Sequence, residues 1–498
     1  MRRAELLFLI LISLSFFLLM YRDIDSWYYS AIGDEYAFFE TAQKIALGET
    51  KISFFPSAGS LSLLDQKGVY GIVPVAVSVY QAFVMKIFGV NHQGWLTSSI
   101  LSVIFSFWPL YFGIKEVFNK RVAIFSLLIF ASSHYLWAYS HTGYWNILAY
   151  FPAIATFYLV VVAFKRQGPF FWFLSGVSSG FCFYIHYYAG ISVFLITLFL
   201  VIQRKKIRIS NLIAFYTGFL ILFLPYLLVN LSVALKVISG RTLVESGEIP
   251  QGKRVVYFFS NLLNSFLSFF TNKGVVHFVS GSLLDSLTGL LFFLGLGSIL
   301  VSFRKYYFLL IVLLVLLVFL GGFSQYTYTP ISRLYFILPV VALIAGVGLD
   351  KLLRLLEKLF PHSCSLIAVL SILIFLFGLN FYRFYYQTPK IYQTTVEAVA
   401  IKAFKELCIN TRTALIDKYP EPVLQPAVLS YGFPNNPEIL RVEDIRPSGL
   451  SRYNCLILVR PSDPQIALLS NEIEKSSPLR RKSFVSDLTG KSTVFVYY

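Results

Sequence analysis

A mainly α, polytopic helical membrane protein is the fold class this sequence predicts, and three observations predict it. The 498 residues are 57% hydrophobic and 18% aromatic with only 13% charged, whereas soluble domains carry about a quarter charged residues. The apolar residues come in runs of spanning length, separated by short basic clusters of the kind that mark cytoplasmic loops. Past Phe381 the pattern changes to frequent charges and prolines with short apolar runs, as expected of a small α/β domain. The formal charge of +17 lies largely in the basic clusters, so it speaks for membrane orientation and against nucleic-acid binding.

The first element is the run from Leu6 to Met20, preceded by Arg2 and Arg3. No small-residue cleavage site follows in Tyr21-Arg22-Asp23-Ile24-Asp25, so the run is expected to be a retained span with its arginines inside. The loop that follows is then outside. It holds Gly33-Asp34-Glu35-Tyr36-Ala37-Phe38-Phe39-Glu40-Thr41-Ala42-Gln43-Lys44-Ile45-Ala46-Leu47-Gly48, whose apolar residues recur at helical spacing, as in an amphipathic helix on the membrane surface. Gly48 is expected to end that helix. Asp34 and Glu35 stand on its first turn, where the helix dipole alone would favour acids.

The stretch from Ile72 to Gly89 is long enough to cross but carries Pro74, Gln81 and Lys86. Topology decides its reading. If it stays on the outer surface or re-enters, the clusters Lys115/Lys120/Arg121, Lys165/Arg166, Arg204/Lys205/Lys206/Arg208, Arg304/Lys305 and Lys351/Arg354/Lys358 all fall in the cytoplasm. If it crosses, all of them move outside.

The remaining spans are expected at 97–114, 122–139, 147–164, 170–187, 190–202, 211–230, 284–303, 306–322, 334–349 and 366–380, about eleven with the first. The outer side then carries the first loop, a small loop at 140–146, a turn at 186–190, a long loop from about 231 to 283, and 323–333. No internal repeat of the inverted-transporter kind is visible. In the tail, 396–407 and 465–475 have helical spacing, 414–417 and 455–459 read as buried strands, and 492–498 alternates like a final strand. We therefore expect a membrane domain over 1–380 and an α/β domain over 381–498, placed outside the cytoplasm by the odd span count. Cys182 and Cys364 lie in apolar runs, whereas Cys408 and Cys455 lie in the tail without metal-ligand spacing; a disulfide between the last two is left open.

The outer loop with Asp34-Glu35, its Ala-rich helix and Gly48, the Pro74 segment ending Ile87-Phe88-Gly89, and Ser332-Arg333-Leu334-Tyr335-Phe336-Ile337-Leu338-Pro339 ahead of a late apolar run resemble the GT-C glycosyltransferases. The branch is that of the protein mannosyltransferases and aminoarabinose transferases, and the likeness covers about 1–380 as layout and short motifs. It implies a polyprenyl-phosphate sugar as donor and an acceptor that is a glycan, lipid or protein. It implies a catalytic acid at Asp34 with Glu35 beside it, and a phosphate-binding arginine at Arg333. Lys67 lies where some members carry a phosphate-binding lysine before a double proline, but here the sequence is Lys67-Gly68-Val69-Tyr70 with a single Pro74 further on. The oligosaccharyltransferase branch has a second acidic motif for a divalent metal. Here Ser140-His141-Thr142-Gly143-Tyr144-Trp145-Asn146 has no acid, which argues against a dedicated Mg²⁺ or Mn²⁺ cage and leaves metal dependence unassigned.

The residue types suit the chemistry. A sugar joined through C1 to a lipid phosphate already has a good leaving group, so the protein has to deprotonate an acceptor hydroxyl and neutralise the departing phosphate. A carboxylate suits the first task and a guanidinium fork the second, although an arginine ahead of a span also serves as an interface anchor. His141, His186 and Tyr187 face the same outer side and are candidate lining residues, with packing as their plainer role. The expected activity is an inverting hexosyl or pentosyl transfer at the outer face of a plasma or inner membrane. A transporter or lipid flippase is the competing class, which would place ionisable residues inside its spans; a ligase using a diphosphate-linked donor would share the topology.

Overall fold

The computed structural model describes residues 3–22, 24, 34–64, 74–238, 253–271, 279, 281–323, 331–388, 396–418, 435–445, 447–476, 481–486 and 493–498. Apolar content and length make most of them helical. The membrane part begins with α1 (Arg3–Arg22), the short α2 (Asp34–Leu47), a two-stranded parallel pair β1 (Lys51–Ser53) and β2 (Ser60–Ser62), and α3 (Val75–Phe88). The core helices are α4 (His92–Val117), α5 (Lys120–Ala131), α6 (His134–Ser140), the single turn α7 (Trp145–Leu148), α8 (Tyr150–Arg166), α9 (Pro169–Ile185), α10 (Tyr187–Ile202) and α11 (Ile209–Ile238). There follow α12 (Arg254–Leu267), α13 (Ser286–Val301), α14 (Phe303–Leu317) with a π-helical turn over Val318–Gly322, α15 (Ile331–Leu334), α16 (Leu338–Leu359) and α17 (His362–Tyr382).

Six helices among the described residues are long and apolar enough to cross a membrane: Arg3–Arg22, His92–Val117, Asn146–Arg166, Ile209–Leu231, Tyr335–Leu359 and His362–Gln387. The pair Lys120–Ala131 and His134–Ser140, bent by 56°, would make a seventh. Pro169–Ile185, Ala189–Ile202, Ser286–Val301 and Tyr306–Gly322 are shorter apolar helices, at or below the lower limit for a span. The expected count of about eleven needs all of these to cross and is not confirmed. The stretch read from sequence as one span over 122–139 is broken at Ser132–Ser133, because hydropathy does not register a bend. The 231–283 region, read as a loop, contains the end of α11 and all of α12.

Helices pack tightly where side chains vanish. A Cβ on Gly348 of α16 would lie 2.1 Å from the Leu291 carbonyl oxygen, and one on Gly295 of α13 would lie 1.8 Å from that of Ile344, so these two helices meet backbone to backbone as small residues allow in membranes.

The bend between α5 and α6 is held by a buried polar knot. Asn380, near the end of α17, accepts from the His134 backbone N–H at 3.2 Å and lies 2.8 Å from its Nδ1. Its amide donates to Asp285 at 2.9 Å, and Asp285 in turn caps α13 by accepting from Leu287 and Thr288 N–H groups at 3.0 and 2.9 Å. Replacing Asn380 with Leu removes these bonds from buried Asp285 and His134, each loss costing about 1–3 kcal/mol. Thermal unfolding in detergent should therefore show a clearly lowered Tm for Asn380→Leu; an unchanged Tm would refute the knot as a structural clamp.

The basic clusters gather at one end of the bundle. Glu5, 3% exposed at the start of α1, pairs with Lys115 at 2.9 Å and Lys120 at 3.7 Å. Lys165 pairs with Glu116 at 2.7 Å and Arg121 with Glu357 at 3.3 Å. Three inter-helix loops and the start of α1 thus share a face, as the alternation of charge along the sequence predicts.

The C-terminal part is a five-stranded sheet in the order β4-β3-β5-β7-β6, with β3 (Thr413–Asp417), β4 (Glu438–Arg441) and β5 (Cys455–Leu458) parallel and β7 (Thr493–Tyr497) antiparallel to both β5 and β6 (Lys482–Ser486). Strands β3 and β5 are buried throughout. One face packs on α18 (Val396–Ala403) through Leu415, Ile457 and Val496, in a core continuous with the membrane helices; the other packs through Ile416, Leu456 and Leu458 on α19 (Pro464–Ser476). Cys408 and Cys455 form a disulfide with Cα atoms 6.0 Å apart, which answers the question the sequence left open.

Candidate functional site

Asp34 and Glu35 open α2, as the spacing predicts; their side chains lie outside the described residues. Gly48 ends that helix in the left-handed region at φ 78°, with the Glu49 N–H donating to the Lys44 carbonyl at 2.9 Å and the Gly48 N–H to that of Ile45 at 3.2 Å. This is a Schellman termination, which only a residue without a Cβ adopts freely. The helix is seated by Phe39, whose ring meets Trp95 of α4 edge-on at 5.7 Å. Trp95 is wholly buried.

The other side of Trp95 receives the second loop. Gly143 sits at φ 59°, and a Cβ there would be 2.7 Å from the Trp95 ring. Gln81 of α3 fixes the same loop by donating to the Gly143 carbonyl at 3.0 Å. Four residues earlier, Tyr139 stacks on Tyr335 with centroids 4.2 Å apart and planes at 16°. Tyr335 follows Arg333 by two residues. The ring pairs Phe39–Trp95 and Tyr139–Tyr335, joined through the backbone from Tyr139 to Gly143, therefore link the acid-bearing helix to the arginine-bearing segment, and Tyr150 lies edge-on to Tyr335 at 5.5 Å and donates its hydroxyl to the Tyr335 carbonyl. Each aromatic pair contributes about 0.5–1.5 kcal/mol beyond area burial, so the segment holding Arg333 is rigidly placed.

Arg333 is half-buried on the one-turn helix α15. His186, 1% exposed, stands at the break between α9 and α10 with φ −165° and ψ 144°, and it interacts electrostatically with Arg333. Burial first, and the guanidinium second, hold its imidazole well below its ordinary pKa, so it is neutral near pH 7. His141 goes elsewhere. It is buried against Phe384 at 5.2 Å and the Met20 backbone, and burial lowers its pKa to about 3. The structure thus brings His186 to Arg333 and gives His141 to the junction of α1, α17 and the C-terminal part. Tyr187 begins α10, with its side chain outside the described residues, and Lys67 lies outside them altogether.

That aromatic residues of the spans could line a groove for a polyprenyl chain is an expectation of the sequence, but which residues do so is not written there. An apolar cavity of about 420 Å³ lies between α4, α8, α10, α14 and α16, with Tyr150, Phe336 and Pro339 at one end and Lys165, Gln203 and Tyr306 at the other. Tyr150 and Lys165 are the two ends of α8, about 22 Å apart at helical rise, so the cavity extends over most of a bilayer's hydrocarbon depth. Its lining residues are scattered over five helices, and no single stretch signals them. Among the described residues no three His, Cys, Asp or Glu side chains converge as metal ligands.

This bundle of apolar helices with a small C-terminal sheet has counterparts in one family model and in solved structures. The family model for dolichyl-phosphate-mannose-protein mannosyltransferases matches residues 73–228, a segment that holds His141 and His186 but neither the acid pair nor Arg333. Among solved structures, ArnT from Cupriavidus metallidurans bound to undecaprenyl phosphate is similar at a TM-score of 0.53, with 10% identity over 100% of this chain and 98% of that one. Its apo form gives 0.54 at 10% identity, covering 99% and 98%. The oligosaccharyltransferase AglB from Archaeoglobus fulgidus, in complex with an inhibitory peptide and a dolichol-phosphate, gives 0.51 at 13% identity over 100% of this chain and 75% of that one. No curated protein matches by sequence. At these identities the structural likeness is one of fold.

Proposed function

We propose that this protein transfers a sugar from a polyprenyl-phosphate donor to a hydroxyl acceptor at the outer face of the membrane. The observation that carries the reading is a half-buried arginine placed three residues ahead of Phe336, which lines a long apolar cavity. A cation next to a hydrocarbon-lined shaft suits a ligand with an anionic head and an isoprenoid tail. Arg333 would hold the phosphate, with neutral His186 beside it as a hydrogen-bonding partner. Asp34 would take the acceptor proton while the acceptor oxygen bonds to C1; the C1–O bond to phosphate breaks, and its electron pair leaves on the phosphate under Arg333. Attack opposite the leaving group inverts C1. Glu35 would position Asp34, and Lys67 would add a second cation to the phosphate.

The test is donor consumption by purified protein in lipid, paired with a variant that fills the cavity. Val340→Trp should raise the KM for a long-chain polyprenyl-phosphate sugar about tenfold, or about 1.4 kcal/mol, and leave a short-chain donor much less affected. Equal effects on both chain lengths would remove the cavity from the donor site. No consumption of any donor by wild-type protein would favour transport.

The outer location of residues 381–498, taken as a domain of their own, is supported by the Cys408–Cys455 disulfide, since such bonds persist in oxidising compartments. In intact cells, both cysteines should resist maleimide until a reductant is added, and a reporter at Ser451 should lie opposite one at Lys165. Two free thiols, or reporters on one side, would overturn this placement.

A further inference from the structure

Helix α12 is mounted with its amphipathic faces reversed. Its polar stripe, Asn261, Ser265 and the following Ser268, is buried, whereas Val255, Val256, Phe259 and Leu263 are 69, 67, 62 and 59% exposed. In water such a face would be an adhesive patch. The two serine hydroxyls of the buried stripe are bonded within the helix: Ser265 donates to the Asn261 carbonyl at 2.6 Å and Ser268 to that of Ser265 at 2.7 Å. The contact it makes is tight. A Cβ on Gly321, in the π-helical turn after α14, would lie 2.0 Å from Ser265 Oγ, and one on Gly322 would lie 2.8 Å from the Phe258 ring.

The exposed face does not stand alone. Phe258 adjoins Phe259 and meets Phe323 at 5.1 Å, and Phe323 meets Phe319 at 5.7 Å. Phe319, Phe323 and Leu314 are themselves exposed along α14 and its π-helical end, so the patch on α12 continues the exposed apolar surface of that helix. The same π-helical turn also touches α15, the helix of Arg333.

We propose that the apolar face of α12 is seated in the hydrocarbon of the membrane leaflet adjoining Arg333, which makes it a lipid-contacting surface beside the candidate site. The occupant is the acyl layer of the bilayer, because the face is continuous with the exposed apolar residues Leu314, Phe319 and Phe323 and carries no charge from Val255 to Leu267. Asn261, Ser265 and Ser268 turn inward to protein because the outward direction is lipid.

Nitroxide labels at Val256→Cys, Phe259→Cys, Leu263→Cys and, as a contrast on the polar flank, Ser260→Cys test this in proteoliposomes. Cys182 and Cys364 are replaced by Ala and the Cys408–Cys455 disulfide is kept. The first three labels should collide severalfold more with oxygen, which concentrates in lipid, than with a water-soluble nickel chelate, and Ser260 should show the lower ratio. Higher accessibility to nickel at all three would place the face in water, and low accessibility to both reagents would place it under a partner chain; either result overturns the proposal. The pattern is read without any assay of transfer, so its failure and the failure of the sugar-transfer reading are distinct.

Discussion

Asp34→Asn is expected to lower sugar transfer by about 10²- to 10⁴-fold while leaving donor binding and the fold in place, because the amide keeps the size of the carboxylate and loses its basicity. The position supports so large an effect. Asp34 is the first residue of a helix whose orientation is set by Phe39 on Trp95 and whose end is set by Gly48. If the acids serve only the helix N-terminus, the same change costs about 0.3–1 kcal/mol of local stability and transfer continues. The measurement is single-turnover sugar release from a polyprenyl-phosphate donor, with donor binding followed separately. Glu35→Gln should cost less if that residue only positions its neighbour. Wild-type turnover in Asp34→Asn would falsify the base assignment.

For Arg333, the expected result is loss of donor use in Arg333→Ala and partial recovery in Arg333→Lys. A charge-assisted bond to phosphate is worth about 1.5–3 kcal/mol, or roughly tenfold to a hundredfold in kcat/KM, and the ammonium keeps the charge without the planar fork. An anchoring role predicts a different outcome: Ala and Lys variants would match wild type in turnover. His186→Gln separates the two further, since a neutral hydrogen-bonding partner of the same site should raise KM without moving the pH profile. A profile shifted by that change would mean that His186 carries a proton in the reaction.

The acid-bearing helix was legible in the sequence because its signal is local: apolar spacing over Ala37, Phe38, Ala42, Ile45 and Ala46, and a glycine where the chain must turn left-handed. The central strands over 414–417 and 455–458 were legible for the same reason, as short apolar runs. Strands β4 and β6 were not. They alternate weakly at sheet edges, and what makes them strands is the partner they pair with. Helix α12 escaped within a long outer segment because its five serines and asparagines over 260–268 read as loop chemistry until their burial against Gly321 is seen.

By itself the sequence determined that this is a helical membrane protein, where its apolar runs lie, which basic clusters share a side, and which acid and which arginine are the candidates for chemistry. Those properties follow from hydropathy, charge and short-range spacing, each of which is written in neighbouring residues. The tertiary structure alone decided that His186 interacts electrostatically with Arg333 while His141 packs on Phe384, that Tyr139 and Tyr150 hold the arginine segment, that Phe336 lines an apolar cavity, and that Cys408 meets Cys455. These depend on which helices become neighbours, and in a bilayer, where nearly every span is equally apolar, that choice is made by close backbone approach and by a few buried polar bonds such as Asn380 to Asp285, contacts whose partners lie far apart along the chain.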